Sequence, residues 1–69
     1  MDRVYKIIEV VGCSTKSHHD AIQNAVTEAA KTLTGLAWFE VKEMRGGLKD
    51  GKITEYQATV RIGFRLISE

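Results

Sequence analysis

The sequence predicts an α+β fold, a β-α-β-β chain whose three-stranded antiparallel sheet wraps one helix. Three observations carry this expectation. Residues 4–11 (VYKIIEVV) form a run rich in β-branched side chains. An alanine-rich stripe at helical spacing follows a helix-start signal at Ser17. Two further strand-like stretches, 36–45 and 53–67, flank a segment from Gly46 to Gly51 that carries turn chemistry, with Asp50-Gly51 at its end.

Taken in order, Gly12 bounds the first strand and 12–16 reads as a loop containing Cys13. Ser17-His18-His19-Asp20 is a capping-box variant, with Asp in place of Glu at the third helical position. The Ser17 hydroxyl can accept from an orphan backbone N–H, and Asp20 favours the positive end of the helix. Behind it Ala21, Ile22, Ala25, Val26, Ala29, Ala30 and Leu33 recur on one face. That stripe is narrow and small, so the helix can sit close to a sheet. Gly35 is the expected C-terminal stop. A hairpin joins strands two and three, with Gly46 and Gly47 in its turn. The helix carries the chain back so that strand one pairs with strand three. A right-handed crossover then gives sheet order 1-3-2.

Length and composition narrow the function classes. The 69 residues make one domain, 1–69, with formal net charge +1, one Cys and no Pro. A monomer this small buries only roughly 60% of the surface its unfolded chain exposes. The gain from that burial barely offsets an ordering entropy of about 1.5 kcal/mol per residue. One Cys cannot close an internal disulfide and suits a cytoplasmic setting. Self-association is therefore expected before any motif is read. No apolar run reaches the ~18 residues of a membrane-spanning helix. The charge balance excludes a general polyanion binder.

Strand parity locates a candidate surface. On strand three, Tyr56, Ala58, Val60, Ile62, Phe64 and Leu66 share one parity and must face the helix. Glu55, Gln57, Thr59, Arg61 and Arg65 share the other, with Gly63. On strand two, Phe39 and Val41 go with the helix face, while Trp38, Glu40, Lys42 and Met44 point away. On strand one, Ile8 and Val10 face in, and Tyr5, Ile7, Glu9 and Val11 out. The face without a helix thus carries a Trp and several aliphatics among charges of both signs. An apolar patch of this kind requires a cover, either another subunit or a ligand.

At this point the residues resemble the dodecin family, over essentially the whole chain. The resemblance rests on VYKIIEVVG at 4–12, D-A-I-Q at 20–23 and W-F-E-V-K-E at 38–43. It continues through R-G at 45–46, E-Y-Q at 55–57 and V-R-I-G-F-R-L at 60–66. It implies a non-catalytic flavin store: a hollow homododecamer holding flavin pairs at two-fold interfaces, each pair sandwiched between Trp38 side chains. It implies that Gln57 hydrogen-bonds the pyrimidine edge of the ring. It further implies that Arg45 suits a flavin phosphate, which puts FMN first and leaves FAD or riboflavin open. Some members also bind coenzyme A near a three-fold axis, which leaves open whether Lys6, Arg3 or Arg65 would hold its phosphates.

The chemistry of the residues agrees with that implication. An indole is the largest electron-rich platform for a flat, electron-poor isoalloxazine. The Gln57 carboxamide offers a donor and an acceptor to match an N–H and a C=O. Close stacking should quench the excited flavin by electron transfer. Arg45 has the wrong parity for the open face, so a bulge or strand end is required there. Arg65 has the right parity, for a ligand or for a carboxylate across an interface. Cys13 reads as an incidental thiol, and His18 and His19, adjacent at a helix start, as diverging side chains rather than metal ligands. The competing reading is an oligomeric nucleic-acid-binding sheet using Trp38, Tyr5, Arg61 and Arg65. The near-neutral charge argues against it. Chemistry based on an N-terminal proline is excluded by the absence of Pro.

Overall fold

The computed structural model describes residues 2–66. Its elements are β1 (Tyr5–Ser14), α1 (His18–Ala30), β2 (Leu36–Lys49) and β3 (Lys52–Arg65). The strands form one antiparallel sheet in the order β1-β3-β2, as the sequence predicts. Ile67, the expected end of the third strand, lies outside the described residues.

β1 continues past Gly12 to Ser14, pairing Gly12 with Ala58 and Cys13 with Gln57. Gly12 is therefore not a strand terminator, and Cys13 sits in a strand rather than a loop. The glycine is needed for a different reason. A Cβ at Gly12 would stand 2.0 Å from the Ala21 carbonyl oxygen and 2.9 Å from the Ala25 Cβ. The helix is pressed onto β1 at this point, and only a bare Cα admits it.

The start of α1 matches its sequence signal and adds a residue to it. Ser17 is the N-cap, and its hydroxyl accepts from the Asp20 backbone N–H at 3.0 Å. The Asp20 carboxylate accepts from the Ser14 hydroxyl at 2.8 Å instead of reaching back to Ser17. Ser14 Oγ in turn accepts from the backbone N–H of Lys16 at 2.9 Å and of Ser17 at 3.4 Å. The last residue of β1 is thus tied to the first turn of the helix. The helix ends at Ala30, short of Gly35. Its last turn tightens, with Thr32 and Leu33 both donating to the Ala29 carbonyl. Gly35, with φ of +76°, instead opens β2, where its carbonyl accepts from Arg65 N–H at 2.9 Å.

The core is small. Ala21, Ala25 and Ala29 from the helix are buried against Ala58, Val60 and Ile62 of the central strand. Ile8, Val10, Ile22, Val26, Leu33 and Leu36 pack around them. Three alanines on the contact stripe let the backbones approach, so the buried volume is modest and shape complementarity matters more.

The β2–β3 hairpin is longer than the sequence reading allows. Pairing runs through Gly46↔Tyr56 and Gly47↔Glu55 to Lys49↔Lys52. Gly46 and Gly47 are strand residues, and the turn shrinks to Asp50-Gly51, both with positive φ (52° and 76°). That is a two-residue turn of the primed type, whose twist matches the flanking strands. The result is an elongated subunit of 54 × 20 × 13 Å. A 13-residue helix is about 20 Å long and a 14-residue strand about 46 Å. The helix cannot cover the hairpin. Phe39 shares the helix side by register with Ile62, yet stays 54% exposed. Leu66, also expected to face the helix, follows the end of β3 and is 43% exposed.

Gly12→Ala should lower stability by about 1–3 kcal/mol or more, because backbone and not a flexible side chain occupies the space. Denaturant unfolding followed by circular dichroism checks this. An unchanged midpoint would mean that α1 is not seated on β1 at Gly12.

Candidate functional site

The ladder register places the open-face residues in rows across the sheet. Tyr5 lies beside Arg65, and Ile7, Gly63 and Trp38 share the next row. Then come Glu9, Arg61 and Glu40, followed by Val11, Thr59 and Glu43, and then Cys13, Gln57 and Arg45. The parity reading therefore holds for Tyr5, Ile7, Glu9, Val11, Trp38 and Glu40. It fails for Met44. A register shift between Val41 and Glu43 inserts one extra residue into β2. Beyond that bulge the faces exchange, which moves Met44 opposite Ala58 on the helix side and turns Arg45 onto the open face. The bulge that Arg45 required is thus present. Lys42, the extra residue, still reaches the open face, where its Nζ donates to Glu9 at 3.1 Å.

Trp38 is the apolar anchor of one end. A Cβ on Gly63 would lie 2.3 Å from two atoms of the Trp38 ring system and 2.7 Å from a third. The indole therefore lies over the bare Cα of the central strand. Tyr5 flanks it at 4.9 Å between ring centroids, tilted by 52°. One indole face is taken by Gly63, and the side chain keeps 42% of its exposure. Sequence reasoning missed Gly63. Its signal was available: a glycine at open-face parity on the central strand, where the large neighbouring ring needs room.

The other end is polar and knitted together. Arg45 Nε donates to Gln57 Oε1 at 3.1 Å, and Arg45 Nη1 donates to Thr59 Oγ1 at 2.9 Å. The same Nη1 lies 3.4 Å from Glu43 Oε1. The Gln57 amide nitrogen donates to the Glu55 carboxylate. His18, which the sequence left without a role, donates from Nε2 to the Arg45 backbone carbonyl at 2.8 Å. Its ring stands edge-on to Tyr56, 5.1 Å between centroids. Cys13 lies in the same row as Gln57 and Arg45 and is exposed.

A charged row separates the two ends. Arg61 Nε is 3.7 Å from Glu9 Oε2 and is buried with no hydrogen-bond partner among the described residues. The two ends are also far apart. Gly63, beneath Trp38, and Gln57 are six residues apart on β3, which is about 20 Å of strand. A single chain therefore does not bring Trp38 and Gln57 together, although they share a face. Arg65 belongs to the Trp38 end, beside Tyr5, and Arg45 to the Gln57 end. A 660 Å³ groove between α1 and β1, lined by Val10, Asn24, Ala25, Glu28 and Leu33, contains none of these four residues.

Comparison with known proteins is consistent across the chain. The family model for Dodecin matches residues 4–67. The Dodecin of Thermus thermophilus is 48% identical over 66 residues, covering 96% of both chains. The solved dodecin from Streptomyces coelicolor superimposes with a TM-score of 0.93 at 41% identity, covering 99% of this chain and 97% of that one. The W38F variant of the Thermus thermophilus dodecin gives 0.91 at 45% identity, covering 97% and 100%.

Gly63→Ala should displace the indole, because its ring atoms occupy the position of the new methyl. The expected outcome is a change in tryptophan emission and near-ultraviolet circular dichroism, with a stability loss of about 1–3 kcal/mol. Unaltered tryptophan spectra in the folded variant would show that Trp38 does not rest on Gly63.

Proposed function

Because the chain belongs to the dodecin family, we propose that it is a non-catalytic flavin store, with flavin pairs held between Trp38 indoles of different copies in a homododecamer. The observation that carries this reading is the seat of Trp38 on Gly63. It fixes the indole plane in advance, so little rotamer entropy is lost on stacking. It also leaves each chain one free indole face. A flavin pair bounded by indole on both sides then needs two chains, which a two-fold interface supplies.

The separation of Trp38 from Gln57 supports the same assembly. No single isoalloxazine spans the two ends of one sheet face, so the ring edge is read by Gln57 of another copy. To read it, the Gln57 carboxamide must leave at least one of its present partners, Arg45 or Glu55. When the carboxamide leaves Arg45, the Arg45 Nε is free for the phosphate of FMN, the flavin we place first; riboflavin and FAD share the ring and follow it. Arg65, beside Tyr5 and near Trp38, serves a carboxylate across the interface or the phosphates of coenzyme A. Residues 1–69 act as one flavin-binding unit in the cytoplasm. No helix in the described residues is long and apolar enough to cross a membrane. The nucleic-acid reading loses support, since Arg61 is flanked by Glu9 and Glu40 in its row.

Titration of the purified assembly with FMN and riboflavin tests this function. Flavin emission should be strongly quenched on binding. Trp38→Ala should weaken both ligands by about ten- to a hundred-fold, the range of one aromatic stacking contact. Arg45→Ala should weaken FMN about tenfold or more while sparing riboflavin, as expected for a charge-assisted contact to the phosphate. Unchanged flavin affinity in Trp38→Ala would overturn the stacking model. An equal loss for both ligands in Arg45→Ala would overturn the phosphate assignment.

A further inference from the structure

Arg45 stands on a strand whose register is unusually interrupted. β2 is an edge strand, and its pairing with β3 shifts between Val41 and Glu43 and again between Gly47 and Leu48. Only the stretch from Glu43 to Gly47 keeps regular pairing around Arg45. A slip of one residue there would carry the Arg45 side chain to the opposite face. Beyond the ladder itself, two sets of side-chain contacts hold the position. One is the guanidinium's own bonds to Gln57 and Thr59 on the open face. The other comes from behind, where His18 Nε2 donates to the Arg45 carbonyl at 2.8 Å.

These two holds respond differently to a ligand. The guanidinium contacts are the ones an anionic ligand displaces, since the same N–H groups must turn to it. The His18 contact involves only the backbone and survives that exchange. His18 is itself well placed to serve as an anchor. It is the first residue of α1, directly after the Ser17 cap, and its ring packs nearly perpendicular to that of Tyr56. Tyr56 pairs with Gly46, the residue after Arg45. Among the described residues, no other side-chain hydrogen bond joins α1 to β2. A carbonyl can only accept, so Nε2 carries the hydrogen.

We infer that His18 is a positioning residue for Arg45, holding its backbone in register while the guanidinium is released to the phosphate of FMN. The inference rests on the proposed role of Arg45 and deepens it. A residue acting only through Arg45 must affect the ligand that carries a phosphate and leave the one without it alone. A merely structural residue must affect both.

The experiment uses the assembled protein, with FMN and riboflavin titrated in parallel against His18→Leu, His18→Gln and Arg45→Ala. His18→Leu removes the donor and should weaken FMN by about three- to ten-fold, the range of one net hydrogen bond, with riboflavin affinity unchanged. His18→Gln keeps an N–H donor of similar reach and should restore FMN affinity. If His18→Leu does not assemble, His18→Asn, whose shorter amide falls short of the carbonyl, gives the same comparison. Equal losses for both flavins, or no loss for FMN, overturn the inference if Arg45→Ala still shows its FMN-selective loss. If Arg45→Ala shows no selectivity, the phosphate assignment itself fails and the inference falls with it.

Discussion

The function proposed for this chain depends on one contact: the Trp38 indole laid over the bare Cα of Gly63. The contact fixes the plane of the largest side chain on a sheet face that no helix covers. It covers one face of the ring and leaves the side chain 42% exposed. A rigid, half-exposed indole on a flat sheet is a poor arrangement for an isolated monomer and a good one for stacking. The same constraint explains why β3, the central strand, carries a glycine near its C-terminal end, where strand propensity disfavours one.

The rest of the fold supplies that face with a rigid support. Ala21, Ala25 and Ala29 bring α1 close to β3, and Gly12 lets the helix backbone meet β1. The helix side of β3 is thereby sealed at Ala58, Val60 and Ile62, and its other side is left for the rows of Trp38, Arg61 and Gln57. Because α1 lies over β1 and β3 and stops short of the hairpin end, the edge strand β2 keeps Phe39 and Met44 exposed on its helix side. Together with Trp38 they give a 69-residue chain more apolar surface than a monomer keeps comfortably. This fits the proposed assembly, in which copies of the chain cover one another's apolar faces.

The element order, the sheet order and most of the open face were legible in the sequence, because periods of 2 and 3.6 leave a clear imprint when one face is buried. The mismatch at Arg45 called for a bulge or a strand end; what could not be read was its position, between Val41 and Glu43. Parity arguments propagate an error along the rest of a strand, so Met44 and Arg45 exchanged faces at one inserted residue. The glycines misled in a similar way. Gly12, Gly46 and Gly47 read as punctuation, yet all three pair within strands, and Gly12 is explained by the closeness of the helix. The hydrogen bond from His18 to Arg45 spans 27 positions, and no local pattern announces it. The resemblance to dodecins named Trp38, Gln57 and Arg45 as site residues, and strand parity added Arg65. The structure adds that within one chain they form two separate ends of one face.

The most direct test is the stoichiometry of flavin in the assembled particle, measured by absorbance together with the mass of the complex in solution. One free indole face per chain, arranged in two-fold pairs, requires one flavin per chain with tryptophan and flavin emission quenched together. Saturation at one flavin per two chains, or equally tight binding to the isolated subunit, would contradict stacking between paired copies of Trp38.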